Sequence, residues 1–435
     1  MPWADAEYDE HGHPKPRVPE HLRDQPQFAV KSPTPEQVED VAKILHVDDI
    51  SHITLLEKKL LRDLIYYCWA CFDDVMRPVD SPPVDIRFKE ANPRPVKMQP
   101  YRLTPAKIEC LRKQIQEWIR DGVIRPAQSP CAFPVLMLPK KGATPGTSDA
   151  FRTCVDFRKL NVHVPHDSYP NPRTDDGLAF LANRRYRTSL DIRWGYHNLL
   201  LSPKAQDIVT FSSPLGTYSY LRLPLGVKPA GGFFCRQLQN DLGDYLFRDV
   251  FVFVDDVLIG HADRKRHILV VMEVFCRLAS KGYSVKPKKV NLLVDEFVFL
   301  GHVSTPTGLK PSPSTVEAIT KMPIPTAGPG KDPKKQLRSF LGFASWVRRY
   351  IANFSRIVET LRKLTEMNAR FEWDDACQLA WDTIVEAVVK TKGVYHPDYR
   401  LPFHIRTDAS AAGFGAYLFQ LVDVEDENGN VKTEE

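Results

Sequence analysis

Asp255 and Asp256 stand side by side inside an apolar run, FVFVDDVLIG, at residues 251–260. A carboxylate buried in such a run is costly unless it is paired or binds a metal. A third acid, Asp191, closes another strand-like run, YRTSLDI, at residues 186–192. Neighbouring strand ends can bring these acids together although 64 positions separate Asp191 from Asp255. Three carboxylates at one place repel one another unless a divalent cation stands between them. Hard cations such as Mg²⁺ take carboxylate and phosphate oxygens. Two such ions about 3.5–4 Å apart clamp the attacking and leaving oxygens of phosphoryl transfer. An Asp-Asp pair alone is more often a turn or a helix cap. An apolar hairpin with a strand-end Asp upstream is more specific.

The elements that must position these acids can be read from periodicity. Apolar Ile108, Leu111, Ile115 and Ile119 share one helical face after Pro105, and Gly122 closes that helix. Strand-like runs follow in CAFPVLMLPKKG and FRTCVDFRKLN, joined by the loop GATPGTSDA. IVTFSSPLGTYSYLRLP reads as a hairpin turning at residues 214–216, and residues 229–246 read as a helix. A helix over about 263–280 carries Ile268, Met272, Phe275 and Leu278 on one face. Further on, Leu337, Phe340, Leu341, Ala344, Val347 and Ile351 form one helical stripe, with Lys334, Lys335, Arg338, Arg348 and Arg349 on its other sides. A last helix covers about 374–391, and LPFHIRTDASAAGFGAYLFQL reads as two strands. Residues 1–50 look like a loose leader, a short helix with Leu56, Leu60 and Ile65 follows, and a proline-rich connector runs over about 77–105.

Composition narrows the class. At 435 residues, 43% hydrophobic and 26% charged, the chain is globular, with room for about three domains. A net charge of +5 is a weak sign of a polyanion partner, so its placement matters more. Eight cysteines without a repeating pattern fit a reducing compartment. Cys68 and Cys71 read as two residues of an apolar helix, because no second pair accompanies them. The polar start argues against a signal peptide, and no apolar run is long enough to predict a membrane span.

SLDIRWGYHNLLL, LPLGVKPAGGFFCRQL, FVFVDDVLIG and FVFLGHV resemble successive motifs of reverse transcriptases, with the closest likeness to the polyprotein of gypsy-type LTR retrotransposons. The resemblance spans about residues 80–420 in unbroken order. It implies an α+β fold: a right-hand polymerase of fingers, palm and thumb, followed by a truncated RNase H-like β-hairpin segment. The implied organisation is a partly disordered leader and linker over 1–79, fingers and palm over 80–310, thumb and connection over 311–400, and the start of an RNase H-like domain over 401–435.

Residue by residue, the resemblance makes Asp191, Asp255 and Asp256 the catalytic metal-binding acids, for two Mg²⁺ ions with Mn²⁺ as an alternative. Tyr196 falls where the family crowds the sugar 2′ position. Arg152 and either Lys140 or Lys141 match positions that hold the triphosphate. Leu225 and Gly226 line the nucleotide pocket. Phe299, Gly301 and His302 belong to the hairpin that positions the primer, and Arg348 and Arg349 would follow template–primer phosphates. Gly231 replaces a usual proline and would loosen its turn, and Cys235 replaces a usual glutamine. Asp408 matches the first RNase H acid; the later acids are absent, which makes it vestigial and RNase H activity unexpected.

The implied function is an RNA-directed DNA polymerase of a retrotransposon. Its partners would be an RNA template, a DNA or RNA primer, RNA–DNA hybrid, deoxynucleotides and other polyprotein products, with no membrane. Its place would be a cytoplasmic virus-like particle that can pass into the nucleus. A decayed or domesticated remnant that only binds nucleic acid is the alternative. A nucleotide cyclase shares a related palm, but explains neither Tyr196 nor the thumb-like segment.

Overall fold

Apolar runs too short for helices pair into sheets, and amphipathic runs of ten residues or more cover them. The computed structural model describes every residue except 1–2, 5, 10–11, 91–94, 141–149, 171, 183, 327, 329, 331, 411–412, 426–430 and 435, and leaves out side chains at 408–410, 413–415, 417, 422–425 and 431–434. Two compact units result: residues 1–177 with 186–294, and residues 178–185 with 295–435.

In the first unit the helices are α1 (Pro35–Ile44), α2 (Leu55–Tyr67), α3 (Pro105–Arg120), α4 (Arg158–His163), α6 (Pro203–Ile208), α7 (Ala230–Leu242) and α8 (Arg264–Lys281); α5 (Thr174–Phe180) runs across the division. Strands β1 (Ile124–Pro126), β2 (Phe133–Pro139), β3 (Phe151–Val155), β5 (Thr210–Ser213) and β6 (Gly216–Tyr220) form one sheet in the order β1-β6-β5-β2-β3. Strands β4 (Tyr186–Asp191), β7 (Val250–Phe253), β8 (Asp256–His261) and β9 (Asn291–Val294) form a second, in the order β7-β8-β4-β9. Helices α7 and α8 pack on this second sheet, so β7 and β8 are buried along most of their length. That explains their unbroken apolar sequence.

The leader is not loose. Leu22, Val38, Val41, Leu61, Leu64 and Ile65 are buried in the same core as the sheets. Thr34 with Gln37, and Thr54 with Glu57, close reciprocal capping boxes that start α1 and α2. Arg77 is fully buried. It donates to Phe28 O, Ala29 O and Ala70 O, and pairs with Asp73 at 2.6 Å. Burial of α1 is what the proline-rich composition concealed; α2 is the short helix expected from Leu56, Leu60 and Ile65.

The second unit holds β10 (Phe297–Phe299), β11 (His302–Ser304), β12 (Gly308–Pro311) and β13 (Val394–Tyr395) in one antiparallel sheet, with α9 (Pro313–Thr320), α10 (Pro333–Trp346), α11 (Phe354–Lys363) and α12 (Asp375–Lys390). Hairpins β14–β15 (His404–Ser410, Gly413–Phe419) and β16–β17 (Val422–Glu425, Val431–Glu434) follow. The compact division falls at residue 294, not near 310, because β10 and β11 bond to β12. The helix expected to run through Arg349 stops at Trp346. Arg348 and Arg349 stand on a 3₁₀ turn, Asn353 adopts a φ of 55°, and α11 begins afresh. Val347, Tyr350 and Ile351 stay buried across that break, which is why the stripe looked continuous.

Candidate active site

Strand pairing answers whether the three acids meet. Asp191 is the cross-strand partner of Asp256 on β4 and β8, so their Cβ atoms lie about 5 Å apart. Phe253 pairs with Asp256, leaving Val254 and Asp255 as a two-residue turn between β7 and β8. The Ile192 amide donates to Asp255 O at 3.0 Å, fixing the turn beside the end of β4. Val254 has a φ of 57° and Asp255 does not share it. That resembles a type II′ turn, which favours glycine at this place. A β-branched residue there stores strain, which the flanking strands must hold.

Asp191 is buried and Asp255 exposed. Burial, with the charges of Asp255 and Asp191 behind it, raises the Asp256 carboxyl to about 6; Lys289 and Lys286 oppose the rise. Asp191 Oδ2 lies 2.6 Å from Lys289 Nζ, and Oδ1 lies 3.0 Å from Lys286 Nζ. The second contact is misaligned, so Oδ1 is buried without a hydrogen bond. Among the described residues no three acids, histidines or cysteines form a ready metal cage. The chemistry of the set nevertheless suits a hard cation: burial and the two neighbouring carboxylates raise Asp256, and Asp191 Oδ1 is buried with only a misaligned ammonium beside it.

Tyr196 lies on the 3₁₀ turn Gly195–Asn198, with its ring edge-on to Phe234 at 5.7 Å. Burial raises its hydroxyl and the Asp255 charge adds to this, placing it near that acid. A Cβ on Gly231 would stand 3.8 Å from the Tyr196 hydroxyl. Gly231 therefore leaves room beside Tyr196, while α7 starts normally behind Pro229. Cys235 Sγ contacts Val254 O at 3.8 Å from beneath the Asp-Asp turn.

Lys140 and Arg152 flank the β2–β3 hairpin. Leu138 pairs with Arg152, and the Lys140 amide donates to Ala150 O, so both basic side chains lie on one exposed face. Lys141 lies outside the described residues. Leu225 is exposed, and Gly226 has a φ of 94° that favours glycine. Asn161, which the sequence did not single out, clamps this loop: its Nδ2 donates to Gly226 O at 2.9 Å, and its Oδ1 accepts from the Lys228 amide at 2.8 Å. Lys286 and Lys289 were missed too. Their KPKK run was visible, but nothing in the sequence aimed it at Asp191.

In the second unit Phe299 and His302 are buried, so their side chains do not form an exposed primer contact. His302 Nδ1 lies 2.7 Å from Tyr350 Oη and its ring sits 5.3 Å from Trp346. Leu300 and Gly301 turn the hairpin, both with positive φ. A Cβ on Gly301 would meet Thr315 Oγ1 at 3.0 Å and Trp346 Nε1 at 3.3 Å. Arg348 and Arg349 are exposed. Arg348 and Arg338 line a groove of about 540 Å³ between α10 and α11 with Arg362. Asp408 lies on β14, and its side chain is outside the described set.

Residues 138–304 match the family described as reverse transcriptase (RNA-dependent DNA polymerase), and residues 373–428 match an RNase H-like domain found in reverse transcriptase. Over 335 residues the chain is 30% identical to the retrovirus-related Pol polyprotein from transposon 412 of Drosophila melanogaster, covering 77% of this chain and 26% of that protein. It is 28% identical to the Pol polyprotein from transposon gypsy of the same species, covering 78% and 33%. The chain thus spans about a quarter to a third of these relatives. In structure it resembles the foamy viral protease-reverse transcriptase in complex with dsDNA, with a TM-score of 0.75 at 23% identity over 93% of this chain and 80% of that one. The same protein with RNA/DNA hybrid gives 0.70 at 23% identity, covering 90% and 54%. The right-hand polymerase fold expected from the motifs is the fold of this chain.

Proposed function

We propose that this chain, which carries a reverse transcriptase domain over residues 138–304 and an RNase H-like one over 373–428, is an RNA-directed DNA polymerase of an LTR-retrotransposon Pol polyprotein. The observation that carries the reading is the pairing of Asp191 with Asp256 beside the Asp255 turn. Asp191, Asp255 and Asp256 would hold two Mg²⁺ ions, or Mn²⁺, which when bound stabilise the charge that develops as the primer 3′ oxygen attacks a deoxynucleotide. Arg152 and Lys140, on one face of their hairpin, hold the triphosphate. Tyr196 packs against the sugar and leaves no room for a 2′ hydroxyl. Gly226, fixed by Asn161, shapes the pocket floor next to Leu225.

The Phe299–His302 turn acts through its backbone position, since its flanking side chains are buried. Arg348 and Arg349 meet backbone phosphates. The partners are an RNA template, a DNA or RNA primer and the resulting hybrid, as the foamy viral complexes with dsDNA and RNA/DNA hybrid suggest. Other polyprotein products are partners too, in a cytoplasmic virus-like particle. No helix among the described residues is long and apolar enough to cross a membrane. The test is extension of a DNA primer on an RNA template by the purified chain with deoxynucleotides and Mg²⁺. Extension that EDTA abolishes is expected; template–primer binding with no extension would favour the remnant reading.

A further inference from the structure

Lys286 and Lys289 have no part in the chemistry above, yet both reach the most buried of the three acids. The Lys286 amide donates to Asp191 O at 3.1 Å, which anchors the residue beside the end of β4. From there the chain makes the 3₁₀ turn Pro287–Lys289. Residues three apart eclipse on such a turn. The spacing Lys286-Pro287-Lys288-Lys289 therefore sends two ammonium groups to one carboxylate and the middle one elsewhere. They take opposite oxygens of Asp191, at 3.0 Å and 2.6 Å. Lys289 also feels the charges of Asp255 and Asp256.

The partners differ in mobility. The Asp191 side chain is 12% exposed, whereas those of Lys286 and Lys289 are 44% and 58% exposed. The carboxylate is fixed, and the lysines sit at the rim on flexible stems. One contact is misaligned as well. Half-exposed pairs of this kind are weak and exchange readily.

Resting on the polymerase reading of the three acids, we propose that Lys286 and Lys289 are a built-in counter-ion that neutralises Asp191 in the metal-free chain and is displaced when a divalent cation binds. The lysines keep the acid cluster from repelling itself apart, and they set a threshold of metal concentration for assembling the site. Each ammonium occupies an oxygen of Asp191 that the cation needs, so removing both should strengthen metal binding.

The experiment is Mn²⁺ titration of the EDTA-stripped full chain, with free ion followed by EPR and thermal unfolding recorded alongside. The variant Lys286→Met/Lys289→Met is expected to bind Mn²⁺ roughly three- to tenfold more tightly than the wild type. It should melt lower in EDTA, with the gap closing at saturating Mn²⁺. Lys289→Arg, whose fork grips a carboxylate more firmly, should bind Mn²⁺ more weakly. Unchanged or weaker binding in the double variant, while Asp191→Asn loses Mn²⁺, overturns the counter-ion role alone. Equal binding by wild type and Asp191→Asn overturns the metal site itself, and the role of the lysines with it.

Discussion

At the scale of single residues, Tyr196 offers the sharpest test of the proposed site. Its ring is held edge-on by Phe234, with Gly231 opening space at the hydroxyl end. Tyr196→Ala should therefore admit ribonucleotides, raising ribo- over deoxynucleotide incorporation by at least ~10-fold, with some loss of overall rate through lost packing. An unchanged ratio in a folded variant would make it a packing tyrosine. The acids were legible because two adjacent charges contradict an apolar strand. Asn161, Lys286 and Lys289 were not, because their importance comes from where the chain returns in space. Nothing local says that Asn161 lies against Gly226, or that two lysines nearly a hundred positions on face Asp191.

Among the elements, the leader and the second sheet carry separate expectations. Arg77 ties the segment that follows α2 to residues 28–29 ahead of α1, through a buried ion pair and three carbonyls. Arg77→Met should cost roughly 3–5 kcal/mol, because it strips Asp73 of its counter-charge and Phe28 O and Ala29 O of their side-chain donor; chemical denaturation measures this. Asp249 joins β7, β8 and α8. It accepts from His261 at 2.7 Å and from Arg248 and Arg266 at 2.8 Å each. Burial pushes its carboxyl up, but those hydrogen bonds outweigh it and hold it at about 2, below the ordinary 3.8. A depressed carboxyl stabilises the fold above its unfolded value, and that stability is lost as pH falls. The stability gap between wild type and Asp249→Asn should thus shrink between about pH 4 and about pH 2. A constant gap would mean that the charge contributes nothing. The strands, hairpins and long helices were readable from period and turn residues. The helix carrying Leu56, Leu60 and Ile65 was readable as well, whereas α1 was hidden among prolines and charges, although the T-x-x-Q capping pattern at Thr34 marked its start.

For the whole molecule, the question is how it would hold a polyanion with a net charge of only +5. Exposed Arg348 and Arg349 offer local positive charge that the total understates. Reversing both to Glu should weaken template–primer binding and flatten its dependence on salt by roughly one unit of slope per lost phosphate contact. Binding unaffected across a salt series would return them to a solvated surface.

The central claim is that Asp255, at the tip of its turn, performs chemistry and does not merely support the fold. The direct measurement is the single-turnover extension rate of Asp255→Asn, taken together with its dissociation constant for an RNA–DNA template–primer. Extension should fall by at least ~100-fold while the dissociation constant stays within about threefold of wild type. Persistent extension, or an equal loss of binding and extension, would contradict it.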